Sequence, residues 1–185
     1  MGRWEPDARG RMLRAAVELF AERGFEQTTA GDIAERAGVT ERTFFRHFAD
    51  KREVLFDGSE TMVRTTYDAI LAAPADLSPL DAALAGVVAG GGLLEDRHDH
   101  AARRARIVAA NPSLRERELL KLAAMTEKTA EALRRRGVGE PTADLAAHSA
   151  VTVFQVAVAA WVSTERPPTL ATHIAQAAAA LRSLG

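Results

Sequence analysis

The sequence predicts an all-α protein of about nine helices, and three observations support this fold class. Apolar residues recur at the spacing of one helix face along most of the chain. Alanine, the strongest helix former, is abundant, whereas long alternating β-branched runs are scarce. Glycine or proline follows most of the periodic stretches, so the helices are expected to be joined by short turns.

Length and composition indicate a soluble globular protein. At 185 residues the chain can form one medium domain, or a small domain joined to a larger one. Hydrophobic residues make up 47% and charged residues 26%, and the lack of cysteine excludes disulfides, thiolate zinc sites and cysteine nucleophiles. The first residues, MGRWEPDARGRM, are charged and lack the apolar core of a secretory signal. We therefore expect a cytoplasmic protein without a cofactor or a metal.

The first helix is predicted over residues 7–23. One apolar face is formed by residues at i, i+3, i+4 and i+7, namely Leu13, Ala16, Val17 and Phe20. Pro6 suits the first turn, and Gly24 suits the position after the last turn.

Two short helices separated by a glycine turn follow, in the stretch DIAERAGVTERTFFRHF at residues 32–48. Thr29 and Asp32 form a capping-box pattern at the start of the first, with Thr28 as the alternative cap. Its inner face is formed by Ile33, Ala34 and Ala37. Gly38 ends this helix and Thr40 caps the next. This order predicts a helix-turn-helix motif.

The second of these helices combines aromatic and basic residues at high density. Phe44 and Phe48 are four residues apart, so they share a face that is expected to point into a three-helix core. The positions left for the other sides are Glu41, Arg42, Thr43, Phe45, Arg46 and His47. Such a surface suits the major groove of DNA. The alternative is an amphipathic helix with a solvated basic face, and the preceding glycine turn favours the DNA interpretation.

Residues 13–55 resemble the TetR family of one-component bacterial regulators. The resemblance is carried by a helix ending in FAERGF, a TT pair, IAERAGV, a capping threonine, TFFRHF and a lysine at position 51, in this order and at the family's spacing. It implies a homodimer with a three-helix DNA-binding domain, expected at 1–50, and a six-helix domain for ligand sensing and dimerisation, expected at 51–185.

The resemblance also implies DNA-contact roles. Glu41, Arg42 and Thr43 correspond to residues that contact base edges and nearby phosphates. Phe45 stands where a tyrosine is frequent, so the phosphate bond of a hydroxyl is absent and only apolar contact, as with a thymine methyl, is expected. The remaining predicted contacts are Thr28, Thr29, Thr40, Arg46, His47 and Lys51. Lys51 is expected to open a long fourth helix and to bind a phosphate beside its N-terminus.

Beyond residue 50 the pattern predicts six further helices. They are expected over residues 51–73, 78–89, 95–110, 113–137, 142–164 and 169–184. Pro74 ends the first of them, and the glycines at 90–92 are expected to break the chain after the second. The helix from 113 has two candidate caps, Ser113 with Glu116, or Asn111 with Pro112 in the first turn.

The last two helices are the predicted dimer surface. Residues 145–164 carry no formal charge and are long enough to span a bilayer, but polar residues interrupt them and no basic cluster flanks them. A buried helix is therefore expected, with no membrane contact. The TetR resemblance implies a four-helix bundle with a second copy, and the residues that would allow close approach are Ala157, Ala159, Ala160, Ala177, Ala178, Ala179 and Ala180. The alternative is ordinary core within one chain.

A small apolar or amphipathic effector is expected in the second domain. Residues 109–133 are similar to regulatory domains of some actinobacterial TetR members, including mycofactocin-type regulators that respond to acyl-coenzyme A, so an acyl-CoA-like effector is one candidate. The candidate pocket residues are Tyr67, Met125, His148, Thr152, Phe154, Gln155 and Trp161. The alternative for each is a place in the ordinary core.

These predictions favour a sequence-specific transcriptional repressor that a small effector releases from a near-palindromic operator. The alternatives are a regulator controlled by a protein partner, and an activator. Enzymatic activity is not expected, because the sequence has no Gly-rich phosphate loop, nucleophile elbow or paired metal-binding helix motif. On a helix, His98 and His100 would point about 200° apart and would not easily share a metal, whereas in a loop they could.

Overall fold

The computed structural model describes residues 7–184, and these residues form nine α-helices, two short 3-10 helices and no β-strand. The α-helices, numbered in chain order, are α1 Ala8–Arg23, α2 Ala30–Arg36, α3 Glu41–His47, α4 Ser59–Ala72, α5 Pro79–Gly91, α6 His98–Ala110, α7 Pro112–Arg135, α8 Thr142–Ser163 and α9 Leu170–Arg182. The 3-10 helices are Glu53–Phe56 and Gly92–Arg97. The all-α prediction is confirmed. Pro6, which was predicted in the first turn of α1, lies outside the described residues.

Packing divides the chain into two compact units, each with its own hydrophobic core. Within the described residues, the first comprises 7–57 together with Arg103–Glu116, and the second comprises Gly58–Ala102 together with 117–184. This division differs from the expected boundary at residue 50 in two ways. The first unit extends through the 3-10 helix that follows α3, and it includes the end of α6 and the start of α7.

Apolar side chains of α1, α2 and α3 meet in the core of the first unit. The buried face of α1 is wider than predicted and comprises Met12, Ala15, Ala16, Val17, Leu19 and Phe20. Leu13 is only partly buried. Phe44 and Phe48 of α3 join this core as predicted, with ring centroids 5.4 Å apart.

The corner between α6 and α7 completes the same core. Its three buried apolar residues are Ile107, Val108 and Leu114. Arg104 donates from Nε to the carbonyl oxygen of Leu55 at 2.6 Å, and its guanidinium carbon lies 4.8 Å from the ring centroid of Phe56. Helical periodicity did not predict this arrangement, because it shows which face of α6 is apolar but not which distant helices that face contacts.

The prediction of a helix from residue 51 is wrong in its first turns, since α4 begins at Ser59. The Asp50 carboxylate instead accepts the backbone N–H groups of Arg52 at 2.7 Å and Glu53 at 3.2 Å, which starts a 3-10 helix. Three consecutive residues there are buried, Val54, Leu55 and Phe56, and one face of an α-helix would not bury all three. Gly58 then adopts a φ of 83°, a left-handed conformation that glycine accepts without strain, and α4 follows.

Glycines of α5 bring α4 and α5 close together in the second unit. A β-carbon at Gly86 would lie 2.5 Å from Cγ1 of Ile70, and one at Gly90 would lie 2.2 Å from Oγ1 of Thr66. The predicted break at residues 90–92 is wrong, because α5 continues through Gly91 and passes into the second 3-10 helix. Close packing here outweighs the low helix propensity of glycine.

The remaining helices begin and end close to the predicted positions. α7 begins at Pro112, and the backbone N–H of Arg115 donates to the carbonyl oxygen of Asn111 at 3.1 Å, which favours Asn111 over Ser113 as the residue before the first turn. Within residues 7–184, α8 is the one helix long and apolar enough to cross a membrane by length and composition, and 44% of its most apolar window is buried. The core helix of a soluble protein satisfies the same criteria.

Candidate DNA-binding surface

The start of α2 is held by a reciprocal interaction between Thr29 and Asp32. Oγ1 of Thr29 accepts the backbone N–H of Asp32 at 3.1 Å, and the Asp32 carboxylate accepts the backbone N–H of Thr29 at 2.8 Å. The backbone and side-chain hydrogen bonds from Thr29 hold the pKa of Asp32 below its ordinary value. The predicted capping box is confirmed, with Thr29 rather than Thr28 as the cap.

Thr28 is buried and does not present its hydroxyl to DNA. The hydroxyl donates to the carbonyl oxygen of Gly24 at 2.9 Å and lies 3.4 Å from that of Leu19. The structure therefore contradicts the expected phosphate contact of Thr28. Its side chain instead satisfies carbonyl groups near the end of α1.

Gly38 and Thr40 set the direction in which α3 leaves the turn. Gly38 adopts a φ of 67°, and the backbone N–H of Val39 donates to the carbonyl oxygen of Ala34 at 2.9 Å. Oγ1 of Thr40 accepts the backbone N–H of Thr43 at 3.2 Å and lies 3.0 Å from the Thr43 hydroxyl. The turn and the second cap therefore follow the predicted helix-turn-helix.

The outer side of α3 carries exposed and unpaired groups. Phe45 is 51% exposed, whereas the adjacent Phe44 is completely buried. Arg42 and Arg46 are exposed and form no hydrogen bond or ion pair with another residue of the described range 7–184. Glu41 is also exposed, and His47 is partly buried. The two guanidinium groups can therefore donate to an external partner without breaking a bond inside the protein.

Lys51 does not lie where a phosphate contact at the N-terminus of α4 requires it, because α4 begins at Ser59 and only a short 3-10 helix follows Lys51. Its Nζ donates to the carbonyl oxygens of Phe25 at 2.8 Å and Thr28 at 2.9 Å, and lies 3.4 Å from that of Glu26. The same atom lies 4.3 Å from the ring centroid of Phe25. The ammonium group is therefore directed into the loop between α1 and α2.

By contrast, two other arginines of the first unit are paired with carboxylates of the same unit. Arg36 of α2 donates to both carboxylate oxygens of Glu22 of α1, at 3.1 and 2.9 Å. The hydrogen bond from Arg36 holds the pKa of Glu22 below its ordinary value. Nη2 of Arg52 donates to Oδ2 of Asp50 at 2.7 Å, so this arginine forms an ion pair just before the 3-10 helix. The arginines of α3 differ from these in having no such partner within the described residues.

The seven candidate ligand residues do not form one pocket. Three of them lie on the exposed face of α8, namely His148, Thr152 and Gln155. Three others are buried in the core of the second unit, namely Met125, Phe154 and Trp161. These six residues therefore do not line one pocket within the chain, because the polar positions of α8 repeat on the side opposite its buried face.

Tyr67 is the candidate that borders a cleft, which has a volume of about 460 Å³ and lies between α4 and α7. Its hydroxyl donates to Oε1 of Glu131 at 3.3 Å and accepts from Nη1 of Arg135 at 3.1 Å. The other lining residues are Ser59, Glu60, Val63, Arg64, Lys121, Ala124 and Lys128. Sequence reasoning missed them, because an amphipathic pattern does not tell which polar positions of a helix face a neighbouring helix.

Two histidines of the second unit contact backbone groups. Nε2 of His98 lies 3.0 Å from the carbonyl oxygen of Trp161, and Nδ1 of His173 lies 3.1 Å from that of Thr169. Among residues 7–184, no group of three or more His, Cys, Asp or Glu residues is placed to hold a metal ion.

α8 and α9 pack on each other, and both keep an exposed apolar face. Leu145 and Val156 of α8 are 64% and 56% exposed. Among the alanines predicted for a dimer surface, those exposed are Ala159, Ala160, Ala179 and Ala180, with Ala177 partly buried. Ala157 and Ala178 are buried in the core of the chain itself, so the prediction for these two is wrong.

The N-terminal part of the sequence matches a known family. Residues 12–57 match the family described as bacterial regulatory proteins, tetR family. The matched range contains α2, the glycine turn and α3 in full.

Two curated relatives match over different lengths. The chain is 42% identical over 74 residues to the HTH-type transcriptional regulator TcmR of Streptomyces glaucescens, a match that covers 40% of this chain and 33% of TcmR. It is 27% identical over 146 residues to MftR of Mycobacterium tuberculosis, named for transcriptional regulation of mycofactocin biosynthesis, covering 79% of this chain and 74% of MftR. The chain thus spans about a third of the first relative and about three quarters of the second.

The fold also resembles that of solved structures. FadR of Thermus thermophilus, a TetR family transcriptional repressor in complex with lauroyl-CoA, superposes with a TM-score of 0.56. The superposition covers 94% of this chain and 92% of FadR at 22% sequence identity. At this identity the likeness concerns the fold alone.

Proposed function

We propose that this chain, whose residues 12–57 match the tetR family of bacterial regulatory proteins, is a cytoplasmic, homodimeric repressor of that family that a small effector releases from its operator. The observation that carries this proposal is the outer side of α3. It presents Arg42, Phe45 and Arg46 to solvent, while Phe44 and Phe48 hold the helix in the core from behind. A helix that packs firmly on one side and carries unpaired guanidinium groups on the other is suited to bind an external polyanion.

The residues of α3 divide into base-contacting and backbone-contacting groups in this proposal. Arg42, in the first turn, is assigned to a guanine, whose O6 and N7 accept a bidentate guanidinium. Phe45 is assigned to a thymine methyl, since its exposed ring has no hydroxyl to offer a phosphate. Glu41 and Thr43 complete the base-edge set, and the residues assigned to phosphates are Thr29, Thr40, Arg46 and His47.

The exposed faces of α8 and α9 support a homodimer. Apolar residues such as Leu145 and Val156 are left open to solvent, and small alanines beside them allow two helices to approach closely. Pairing these faces with those of a second copy would bury them in a four-helix bundle. Two recognition helices related by a twofold axis would then enter successive major grooves, about 34–36 Å apart, so the operator should be a near-palindrome.

The effector that we propose is a small amphipathic molecule, with acyl-CoA-like compounds as the first class to test. The cleft between α4 and α7 supports this class, since apolar Val63 and Ala124 line it together with basic Arg64 and Lys128. The solved structure of Thermus FadR is a complex with lauroyl-CoA, and MftR is a relative that matches most of this chain. A ligand releases DNA only if it binds more tightly to a conformation that binds DNA less well.

The proposal is tested by selecting binding sites from a pool of random duplexes and footprinting the protein on the enriched sequence. We expect a protected near-palindrome of two half-sites about one helical turn apart. A protected sequence without dyad symmetry would contradict the dimeric mode of binding. Failure to enrich any sequence would contradict the DNA-binding function itself.

The effector is tested by adding acyl-CoA compounds of different chain lengths to the complex with the selected DNA. Release at micromolar concentration, lost in the Tyr67→Ala variant, is the expected result. CoA without an acyl chain serves as the control for the apolar part of the molecule. Enhanced binding instead of release would contradict a simple repressor mechanism.

A further inference from the structure

The ammonium group of Lys51 is bound by the backbone of its own chain. Three carbonyl oxygens surround it, those of Phe25 at 2.8 Å, Thr28 at 2.9 Å and Glu26 at 3.4 Å. An ammonium has three protons to donate, so this set of acceptors matches its capacity. The ring of Phe25, at 4.3 Å from Nζ, adds a cation–π contact on one side.

These carbonyl groups and Lys51 lie on opposite sides of the helix-turn-helix in the sequence. They belong to the loop that ends at Thr29, the residue that caps α2. Lys51 lies in the turn directly after α3. One side chain therefore joins the segment that enters the helix-turn-helix to the segment that leaves it.

We propose that Lys51 is a positioning residue that clamps the two ends of the helix-turn-helix and does not contact a DNA phosphate. Moving the ammonium to a phosphate would break its bonds to the loop, which are charge-assisted and therefore stronger than neutral hydrogen bonds. The chemistry of the residue agrees with this role. Three donors on a compact, rotatable group fit acceptors grouped around one point, whereas the planar fork of arginine fits paired acceptors such as a carboxylate or a phosphate.

The clamp acts on DNA recognition through α2 and α3. The Phe25–Thr28 loop leads into the Thr29–Asp32 capping box, and α3 follows α2 after a short glycine turn. A loosened loop would let α2 and α3 shift together, which would misplace Arg42 and Phe45 at the base edges. Specific binding should therefore suffer more than the general attraction of DNA.

The proposal is tested with the full-length variants Lys51→Met, Lys51→Arg and Arg52→Met. Three quantities are measured: backbone amide exchange over residues 25–32, affinity for the selected site and for a random 30-bp duplex, and the salt dependence of both affinities. Affinities are measured well below each variant's melting temperature, so that the folded fraction does not enter. Only the affinity readouts rest on the proposed DNA-binding function, because amide exchange is measured without DNA.

For Lys51→Met we expect exchange over residues 25–32 to accelerate about tenfold to a hundredfold, the size expected for a lost charged hydrogen bond. The ratio of specific to random affinity should fall about tenfold, as for a lost base contact. The slope of log affinity against log salt on random DNA should stay unchanged. Lys51→Arg keeps the charge but not the donor geometry, so it should also accelerate exchange.

Arg52→Met is the charge-matched control, since Arg52 is adjacent and bonds to Asp50 rather than to the loop. It should leave exchange over residues 25–32 unchanged. A salt slope lowered by about one unit in Lys51→Met alone would overturn the proposal, because that is the change expected for one lost phosphate contact. Unchanged exchange in Lys51→Met would overturn it as well. Absence of any DNA binding by the unmodified protein would contradict the proposed function. Amide exchange would still show whether Lys51 holds the loop before α2.

Discussion

Phe44 and Phe45 are neighbours in α3 with opposite environments, and their ring centroids lie 5.4 Å apart at an interplanar angle of 89°. Phe44→Ala would leave a cavity in the core and is expected to destabilise the first unit by about 3–5 kcal/mol. Phe45→Ala should change stability by no more than about 0.5 kcal/mol, because Phe45 is 51% exposed and lies outside the hydrophobic core. Thermal melts of both variants check the difference, and similar losses would contradict the assignment of the two faces of α3.

Arg42 and Arg46 are both exposed arginines of α3, but different contacts are expected for them. Arg42→Ala should cost about 1–3 kcal/mol on the selected site and little on random DNA, because a base contact carries sequence information. Arg46→Ala should weaken binding to both and lower the salt slope by about one unit, as a lost phosphate contact does. Titrations of both DNAs over a salt series provide the measurement. Equal losses on both DNAs for Arg42→Ala would assign that residue to the DNA backbone instead.

The capping box makes stability depend on pH in a defined direction. Bonds from Thr29 hold the pKa of Asp32 below its ordinary value, so the folded state favours the carboxylate. The stabilisation is present above the ordinary aspartate pKa of about 3.9 and is lost as pH falls through the lower folded-state value. Asp32→Asn should therefore lower the melting temperature at pH 7, and the difference from the unmodified protein should shrink as pH falls below about 4. Melts over this range test the prediction, and a constant difference at all pH values would contradict it.

At the scale of elements, local patterns predicted those features that depend on a few neighbouring residues. Three such features could be predicted from the sequence, because each depends on side chains within one or two turns: the Thr29–Asp32 capping box, the Gly38 turn and the Phe44–Phe48 pair. The start of α4 was not, because the periodic pattern continues through a segment that Asp50 and Gly58 turn into a 3-10 helix. The helical glycines of α5 were also missed, since their role depends on how closely α4 approaches.

The packing of α4 on α5 can be tested at Gly86. Gly86→Ala would place a methyl group 2.5 Å from Cγ1 of Ile70 and 2.9 Å from the carbonyl oxygen of Thr66. We expect the free energy of unfolding of the second unit to fall by about 1–3 kcal/mol. The cost of overpacking should exceed the gain of up to about 1 kcal/mol from the higher helix propensity of alanine. Gly92→Ala is the matched control, because a β-carbon at Gly92 would have open space within 4 Å and the φ of this residue is −54°. A Gly86→Ala protein that melts above the unmodified one would contradict the close approach of the two helices.

At the scale of the whole molecule, the proposed dimer assigns a partner to the exposed side of α8. Val156→Glu should raise the dimer dissociation constant about a hundredfold or more, because symmetry would bury two unpaired carboxylates at the interface. Leu119→Glu is the control, since Leu119 of α7 is 65% exposed and lies outside the proposed interface. Sedimentation velocity over a concentration series separates the two outcomes. A Val156→Glu protein that dimerises normally would exclude this face.

Tertiary contacts between segments distant in sequence were the least predictable part of the molecule. The alanine-rich pattern of α8 and α9 indicated close packing without showing which alanines face the chain's own core, and Ala157 and Ala178 proved to do so. The cleft beside Tyr67 depends on side chains of two helices that the sequence places far apart. Polar residues of α8 were misassigned for the same reason, because composition does not reveal the neighbours of a helix.

The corner of α6 and α7 limits how this chain can be recombined with its relatives. A graft of the N-terminal segment cut at Asp57 would replace α1–α3 but leave Ile107, Val108 and Leu114 to pack against a foreign core. Hybrid regulators built in that way should express poorly, even when each parent is stable. The transplantable module is discontinuous, and it should carry residues 103–116 along with the N-terminal segment. If α3 contacts the operator as proposed, exchanging only its solvent-facing residues should transfer operator preference without disturbing that shared core.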